Sequence, residues 1–197
     1  MEEIFSPMKI NYLLAQHSHL ETQRLILRPV TLGDAPDIYR YAKSTSNTRF
    51  IFPPHESLTD TLERTADYFG KEPLGKFAIA LKETNQLIGT IDLRVKENRQ
   101  AEIGYALNAD YWGQGIMPEA CHALLDLSFN TLRLVHVYAD CLELNVNSAR
   151  VMEKVGLRLE ARIPKARFFE GQWVTSLQYG MTDEEYFTEV NQHLFPK

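Results

Sequence analysis

Three successive runs of period-two alternation, between Phe77 and Leu107, restrict the fold more than any other feature of this chain. Phe77, Ile79 and Leu81 alternate with smaller residues; Thr84-Asn85-Gln86 then leads into a run over residues 87–95, and a second polar turn, residues 96–99, leads into residues 101–107. A period of two sends successive side chains to opposite faces of a strand, and links this short join strands as hairpins. The middle of the chain is therefore an antiparallel meander, and the flanking segments must cover it. Before it, Leu25 and Leu27 with neighbouring Ile26 and Val30 form a first strand, ended by Pro29. Ala35, Ile38, Tyr39 and Ala42, then Leu58, Leu62, Thr65 or Ala66, and Phe69 fall at helical spacing, giving helices over about residues 32–43 and 58–70. After it come a helix through Met117, Ala120, Leu124 and Leu127, a strand through Val135, Val137 and Ala139, and a helix over about residues 147–155 stopped by Gly156. Two closing strands follow, around residues 157–163 and 173–181. The order β-α-α-β-β-β-α-β-α-β-β is neither a sandwich nor a doubly wound sheet. It specifies an α/β fold, a mixed central sheet flanked by helices on both faces.

A chain of 197 residues suits one such domain with an extension. Residues 1–19 have poor periodicity and read as an N-terminal extension, either a mobile arm or a short helix through Tyr12, Leu13 and Leu14; residues 20–187 form the domain and 188–197 a tail. The net charge of -5 argues against surfaces built for nucleic acid or acidic membranes, so neither is expected as a partner. Cys121 and Cys141 are isolated, without metal-ligand spacing, which suits a reduced intracellular protein. No apolar run approaches the ~20 residues of a membrane span, and Met1-Glu2-Glu3-Ile4 lacks a basic signal region, so the expected location is the cytoplasm. Composition leaves the oligomeric state open.

The segment Tyr111-Trp112-Gly113-Gln114-Gly115-Ile116-Met117-Pro118-Glu119-Ala120 joins the last strand of the meander to the next helix. Gly113 and Gly115 let backbone N–H groups close on an anion, and Pro118 and Glu119 suit the first turn of a helix whose positive end faces that anion. Two glycines before a helix also make an ordinary turn and cap. Four segments in order resemble the GNAT superfamily of N-acetyltransferases, most closely its RimJ/RimL-type branch, over roughly residues 20–187. They are Thr22-Gln23-Arg24-Leu25-Ile26-Leu27-Arg28, Ala101-Glu102-Ile103-Gly104-Tyr105-Ala106-Leu107, the glycine loop with Glu119-Ala120, and the run from Asn145 to Leu157 containing Asn147-Ser148-Ala149-Arg150-Val151-Met152.

The resemblance implies an acetyl-CoA-dependent N-acetyltransferase acting on an amine-bearing acceptor, a protein N-terminus or a small molecule, with no metal. It implies that Trp112, Gly113, Gln114, Gly115, Ile116 and Met117 hold the pyrophosphate, that a strand amide near Leu107 holds the acetyl oxygen, and that Asn145 and Ser148 lie against the pantetheine arm. Two positions depart from the family. Asp110 stands where Gln or Arg is usual in the loop, and Met152 where many members carry a tyrosine that protonates the thiolate. Coenzyme A is itself a fair leaving group, since ordinary thiols have a pKa of about 8.5. Glu102, on a face shared with Gly104, Ala106 and Asn108, is the first candidate base, with pairing to Arg94 as its structural alternative and Asp92 in reserve. Ser148 shares a helical stripe with Val151, Met152 and Val155 and is a candidate proton relay or thiolate contact, or a capping residue. The two early helices and a loop over residues 164–172 are expected on the acceptor side, where net acidity favours a cationic amine. A non-catalytic acyl-CoA-binding member of the fold and a nucleotide-binding protein using the same loop are the alternative functions.

Overall fold

The computed structural model describes residues 6–191. Its elements run α1 (Pro7–Gln16), β1 (Leu20–Glu21), β2 (Leu25–Pro29), α2 (Ala35–Ala42), α3 (Thr45–Thr48), α4 (Leu58–Thr65), β3 (Lys76–Leu81), β4 (Leu87–Val95), β5 (Gln100–Leu107), α5 (Ile116–Asp126), β6 (His136–Leu142), α6 (Val146–Lys154), β7 (Arg158–Phe169), β8 (Gln172–Thr182) and α7 (Asp183–Asn191). The expected order is present, with α1, β1, α3 and α7 added. Eight strands form one mixed sheet in the order β1-β2-β3-β4-β5-β6-β8-β7. The chain divides into two compact units, Met1–Leu93 with Gly104–Ala123, and Arg94–Ile103 with Leu124–Lys197.

In the first unit, β2 pairs antiparallel with β3 from Leu25↔Leu81 to Pro29↔Phe77, and β3 pairs antiparallel with β4. Ile38, Tyr41 and Ala42 of α2 pack on Ala78, Leu87 and Ala106, with Val30 and Phe52 against them. The alanines at 78 and 106 keep the sheet surface low enough for a tyrosine to lie on it. The entry to α2 is fixed by Asp34, whose carboxylate accepts from Thr31 N–H at 2.8 Å and from the Arg28 guanidinium at 2.7 and 2.9 Å. Burial is the largest influence on that carboxyl and pushes its pKa up, but the bonds from Arg28 and Thr31 outweigh it and hold it down. Of the two readings of the N-terminal extension, residues 7–16 take the helical one, because Ile10 and Leu14 are buried and Ser6 Oγ caps Lys9 N–H at 3.2 Å.

Helix α4 corrects the expected stripe in part: Thr65 is buried as expected, but the other buried position is Thr61, and Leu58 is 42 % exposed. Thr61 can go inward because its hydroxyl is satisfied locally, donating to Ser57 O at 3.0 Å and meeting His55 Nδ1 at 2.9 Å.

In the second unit, β6 pairs antiparallel with β8 from His136↔Thr182 to Leu142↔Ser176, burying Val137, Ala139 and Cys141 and leaving His136, Tyr138 and Asp140 half-buried. The long hairpin β7–β8 overturns the expected loop over residues 164–172. Strand β7 continues to Phe169, and the turn is only Glu170 and Gly171, both at positive φ (46° and 84°). The strand accommodates Pro164, which has no N–H to give a ladder, because the register shifts between Ile163 and Arg167 there.

Candidate active site

On one edge, β5 runs beyond its ladder with β6. Asn108 N–H donates to Ile88 O and Lys96 N–H to Gln100 O, both at 2.8 Å, so the even-numbered residues of β5 bond β4 and the odd-numbered ones, Ile103, Tyr105 and Leu107, turn to the opposite edge. On that edge the parallel ladder with β6 covers only Gln100↔His136, Ala101↔Val137 and Glu102↔Tyr138, although β5 continues to Leu107. The Leu107 carbonyl is pinned by Asn47 Nδ2 at 3.0 Å and Trp112 Nε1 at 2.9 Å, and Asn47 Oδ1 accepts Ala109 N–H at 2.7 Å. One asparagine thus ties the segment after α2 to the strand end and to the loop that leaves it.

That loop is built by local bonds and by two glycines. Asn108 Oδ1 accepts Asp110 N–H at 3.1 Å, Trp112 N–H bonds Ala109 O at 3.0 Å, and Gln114 Nε2 donates to Asp110 O at 3.0 Å. Gly113 and Gly115 lie at φ 75° and 76°, where a side chain would be strained. Glu119 N–H bonds Gly115 O at 3.1 Å as α5 begins. Between these bonds, the N–H groups of Gly113, Gln114, Gly115, Ile116 and Met117 donate to no other described residue. Ile116 and Met117 bury their side chains, which anchors the helix start, and as in any helix its first amides have no intrahelical acceptors. The positive end of the α5 dipole adds to this donor set.

The loop is clamped from the turn between β1 and β2. Glu119 accepts from Thr22 Oγ1 at 2.6 Å, Arg24 N–H at 2.8 Å and Arg24 Nε at 2.6 Å, while Arg24 Nη1 donates to Gln114 O at 2.9 Å. Burial, the largest influence, pushes the Glu119 carboxyl up; the bonds from Thr22 and Arg24 together hold it below the usual range. The first unit thus unites Leu107 and residues 112–117 of the expected site. Thr22 and Arg24 were visible in the sequence only as part of a matching segment, and Asn47 gave no signal, because a single polar residue after a helix has no period to mark it.

In the second unit Glu102 has the partner its alternative reading named. Arg94 Nη2 lies 2.6 Å from its carboxylate and Lys96 Nζ 3.3 Å. Burial is the largest influence and raises its pKa, yet the two cations win and hold it ionised. On the same sheet face, Asp140 is pushed up, first by burial and then by the charge of Glu102. Asn145 is the N-cap of α6, accepting Ser148 N–H at 3.3 Å, and Ser148 is half-buried in the helix's first turn. Met152 is buried, as its stripe requires. The thiols of Cys121 and Cys141 are both buried, and burial pushes them up to about 12 and about 11, so neither offers a thiolate nucleophile at neutral pH. Asp92, the reserve base, lies in the first unit and accepts from Tyr68 Oη at 2.8 Å. Among the described residues, no three His, Cys, Asp or Glu side chains gather as metal ligands would.

Comparison with known proteins places this geometry. The family described as Acetyltransferase (GNAT) domain matches residues 24–158. The chain is 29% identical over 173 residues to the uncharacterized N-acetyltransferase YnaD of Bacillus subtilis, covering 85% of this chain and 99% of that one. It is 27% identical over 173 residues to the uncharacterized N-acetyltransferase p20 of Bacillus licheniformis, covering 85% and 97%. A crystal structure of a GNAT-family acetyltransferase from Bacillus anthracis superposes with a TM-score of 0.77 at 26% identity, over 85% of this chain and 99% of that one.

Proposed function

The chain belongs to the GNAT family and is an N-acetyltransferase, and from that premise we propose that it moves the acetyl group of acetyl-CoA to a primary amine by direct attack on the thioester. The observation that carries the cofactor reading is the row of N–H groups from Gly113 to Met117, which donate to no described residue. Five donors at a helix start, around two positive-φ glycines, fit the diphosphate of coenzyme A. Residues 112–117 would hold that diphosphate, the outward N–H of Leu107 the acetyl oxygen, and Asn145 and Ser148 the pantetheine arm. When bound, acetyl-CoA supplies an activated acyl group and a thiolate that can leave.

The chain's own residues supply position and proton handling. We assign Glu102 as the carboxylate that takes the amine's proton, directly or through a water; Arg94 and Lys96 keep it charged and ready to accept, at the cost of basicity. Ser148 is assigned to the thiolate side, since Met152 offers no proton there. The net charge of -5 favours a cationic amine, a peptide N-terminus or a small polyvalent amine, over an anionic acceptor. The opening Thr22–Arg28 run and the Asn145–Leu157 run support a place in the RimJ/RimL-type branch. We take residues 20–187 as the catalytic domain, 1–19 as an extension and 188–197 as a tail. The two isolated buried thiols suit a reducing compartment, and we place the protein in the cytoplasm.

Calorimetric titration with acetyl-CoA tests the loop. The parent protein is expected to bind it, and Gly115→Val, which puts a branched side chain at φ 76°, is expected to lose at least about tenfold in affinity while remaining folded. Unchanged affinity in Gly115→Val would remove the diphosphate from this loop.

A further inference from the structure

We propose that Arg24 supplies the cation of the diphosphate site, its Nη2 donating to a phosphate oxygen of coenzyme A while Nε and Nη1 stay on the protein. This rests on the diphosphate reading of the glycine loop and adds to it a charge that the loop lacks. Within the loop, Asp110 stands where the family resemblance implies Gln or Arg, so residues 112–117 offer amide dipoles but no formal positive charge.

Arg24 reaches the loop from the turn between β1 and β2. Its Nε lies 2.6 Å from Glu119 Oε2 and its Nη1 2.9 Å from Gln114 O. These two bonds leave Nη2, with two N–H groups, bonded to no other described residue. The side chain is 44% exposed, so this end meets solvent. Nη2 also lies 3.5 Å from where a Cβ on Gly115 would stand, beside the row of unpaired amides.

The guanidinium does not need to reorganise to serve an anion there. Glu119 is fastened on both oxygens, by Thr22 Oγ1 and Arg24 N–H on Oε1 and by Arg24 Nε on Oε2, so the fork's plane is set before any ligand arrives. Arginine suits this dual task better than lysine, because one planar group can bind the carboxylate, the carbonyl and a phosphate along separate directions. The charge on Glu119 offsets part of the field of Arg24, so directed hydrogen bonding carries the contact.

Acetyl-pantetheine, which has the same thioester and no diphosphate, separates a loss at the diphosphate from a general loss of structure. Glu119→Gln, which loosens the clamp but keeps the Arg24 charge, separates the phosphate contact from the clamp: its loss with acetyl-CoA is expected to be smaller than that of Arg24→Gln, and an equal loss would overturn the proposal. The parent is expected to use acetyl-CoA with a much higher kcat/KM than acetyl-pantetheine. Arg24→Gln is expected to lower kcat/KM for acetyl-CoA about 10- to 100-fold, the scale of a lost hydrogen bond to a charged group, and to leave acetyl-pantetheine within about twofold. Arg24→Lys keeps a cation against Glu119, perturbs the fold less, and is expected to show a smaller loss, again confined to acetyl-CoA. Equal losses with both donors in either variant, or no loss with acetyl-CoA, would overturn the proposal and leave Arg24 as a clamp alone. A parent that did not prefer acetyl-CoA would instead defeat the diphosphate reading of the loop, and the role of Arg24 with it.

Discussion

Glu102 is asked to take a proton from an amine while two cations hold its own proton affinity down. A weak base still serves if the nitrogen becomes acidic as its bond to the acyl carbon forms, and such a group typically contributes ~10²- to 10⁴-fold. Glu102→Gln is therefore expected to reduce kcat/KM by about 10²-fold at neutral pH with little change in acetyl-CoA affinity, and to regain much of the deficit at high pH, where the acceptor is neutral and hydroxide can take the proton of the acidified nitrogen. Steady-state profiles across pH check this, and an equal loss at every pH would reassign Glu102 to positioning. Strand alternation and the neighbouring Arg94 made this residue and its partner readable in the sequence. The His55–Thr61 pair was not. Thr61 gives its only hydroxyl hydrogen to Ser57 O, so His55 Nδ1 must donate to it, and the pair is buried as a unit. Burial, then the nearby charge of Arg64, pushes the pKa of His55 down against the pull of Asp60, so it packs as a neutral ring. A count of apolar positions gives such a pair no weight.

At the scale of elements, the head of α6 carries both of Asn145's readings. Its Oδ1 caps Ser148 N–H, so Asn145→Ala is expected to cost about 1 kcal/mol in urea unfolding. Asn145→Ser keeps a capping oxygen and is expected to retain nearly all of that stability while still weakening acetyl-CoA binding. Full affinity in Asn145→Ser would confine the residue to its cap. The long strands and helices were legible because their apolar residues repeat over several turns or pleats. Helix α3 is four residues, Thr45–Thr48, with no apolar side chain to carry a period. The strand expected around residues 157–163 runs on through Pro164, which cannot give a ladder hydrogen bond, because the shifted register of β7 accommodates it. The loss of pairing between β5 and β6 after Glu102↔Tyr138 had no local signal either, because each strand keeps its own alternation.

For the molecule as a whole, the succession of elements and four ordered motifs identified a mixed sheet of the GNAT kind, and the sheet order and family match agree with it. Net charge narrowed the acceptor only to a preference for cationic amines, because a sum over the chain says nothing about which side chains meet a ligand. Transfer itself is the direct test. The parent protein is incubated with acetyl-CoA and a set of acceptors comprising peptides with free N-termini, a polyamine, an anionic acid and an alcohol, and product is followed by mass spectrometry alongside thiol release. Acetylated amine is expected to form in step with free coenzyme A, with the cationic amines or peptide N-termini turned over fastest. Acetyl-CoA binding without any acetylated amine, or transfer confined to the anionic or hydroxyl acceptors, would contradict the proposed function.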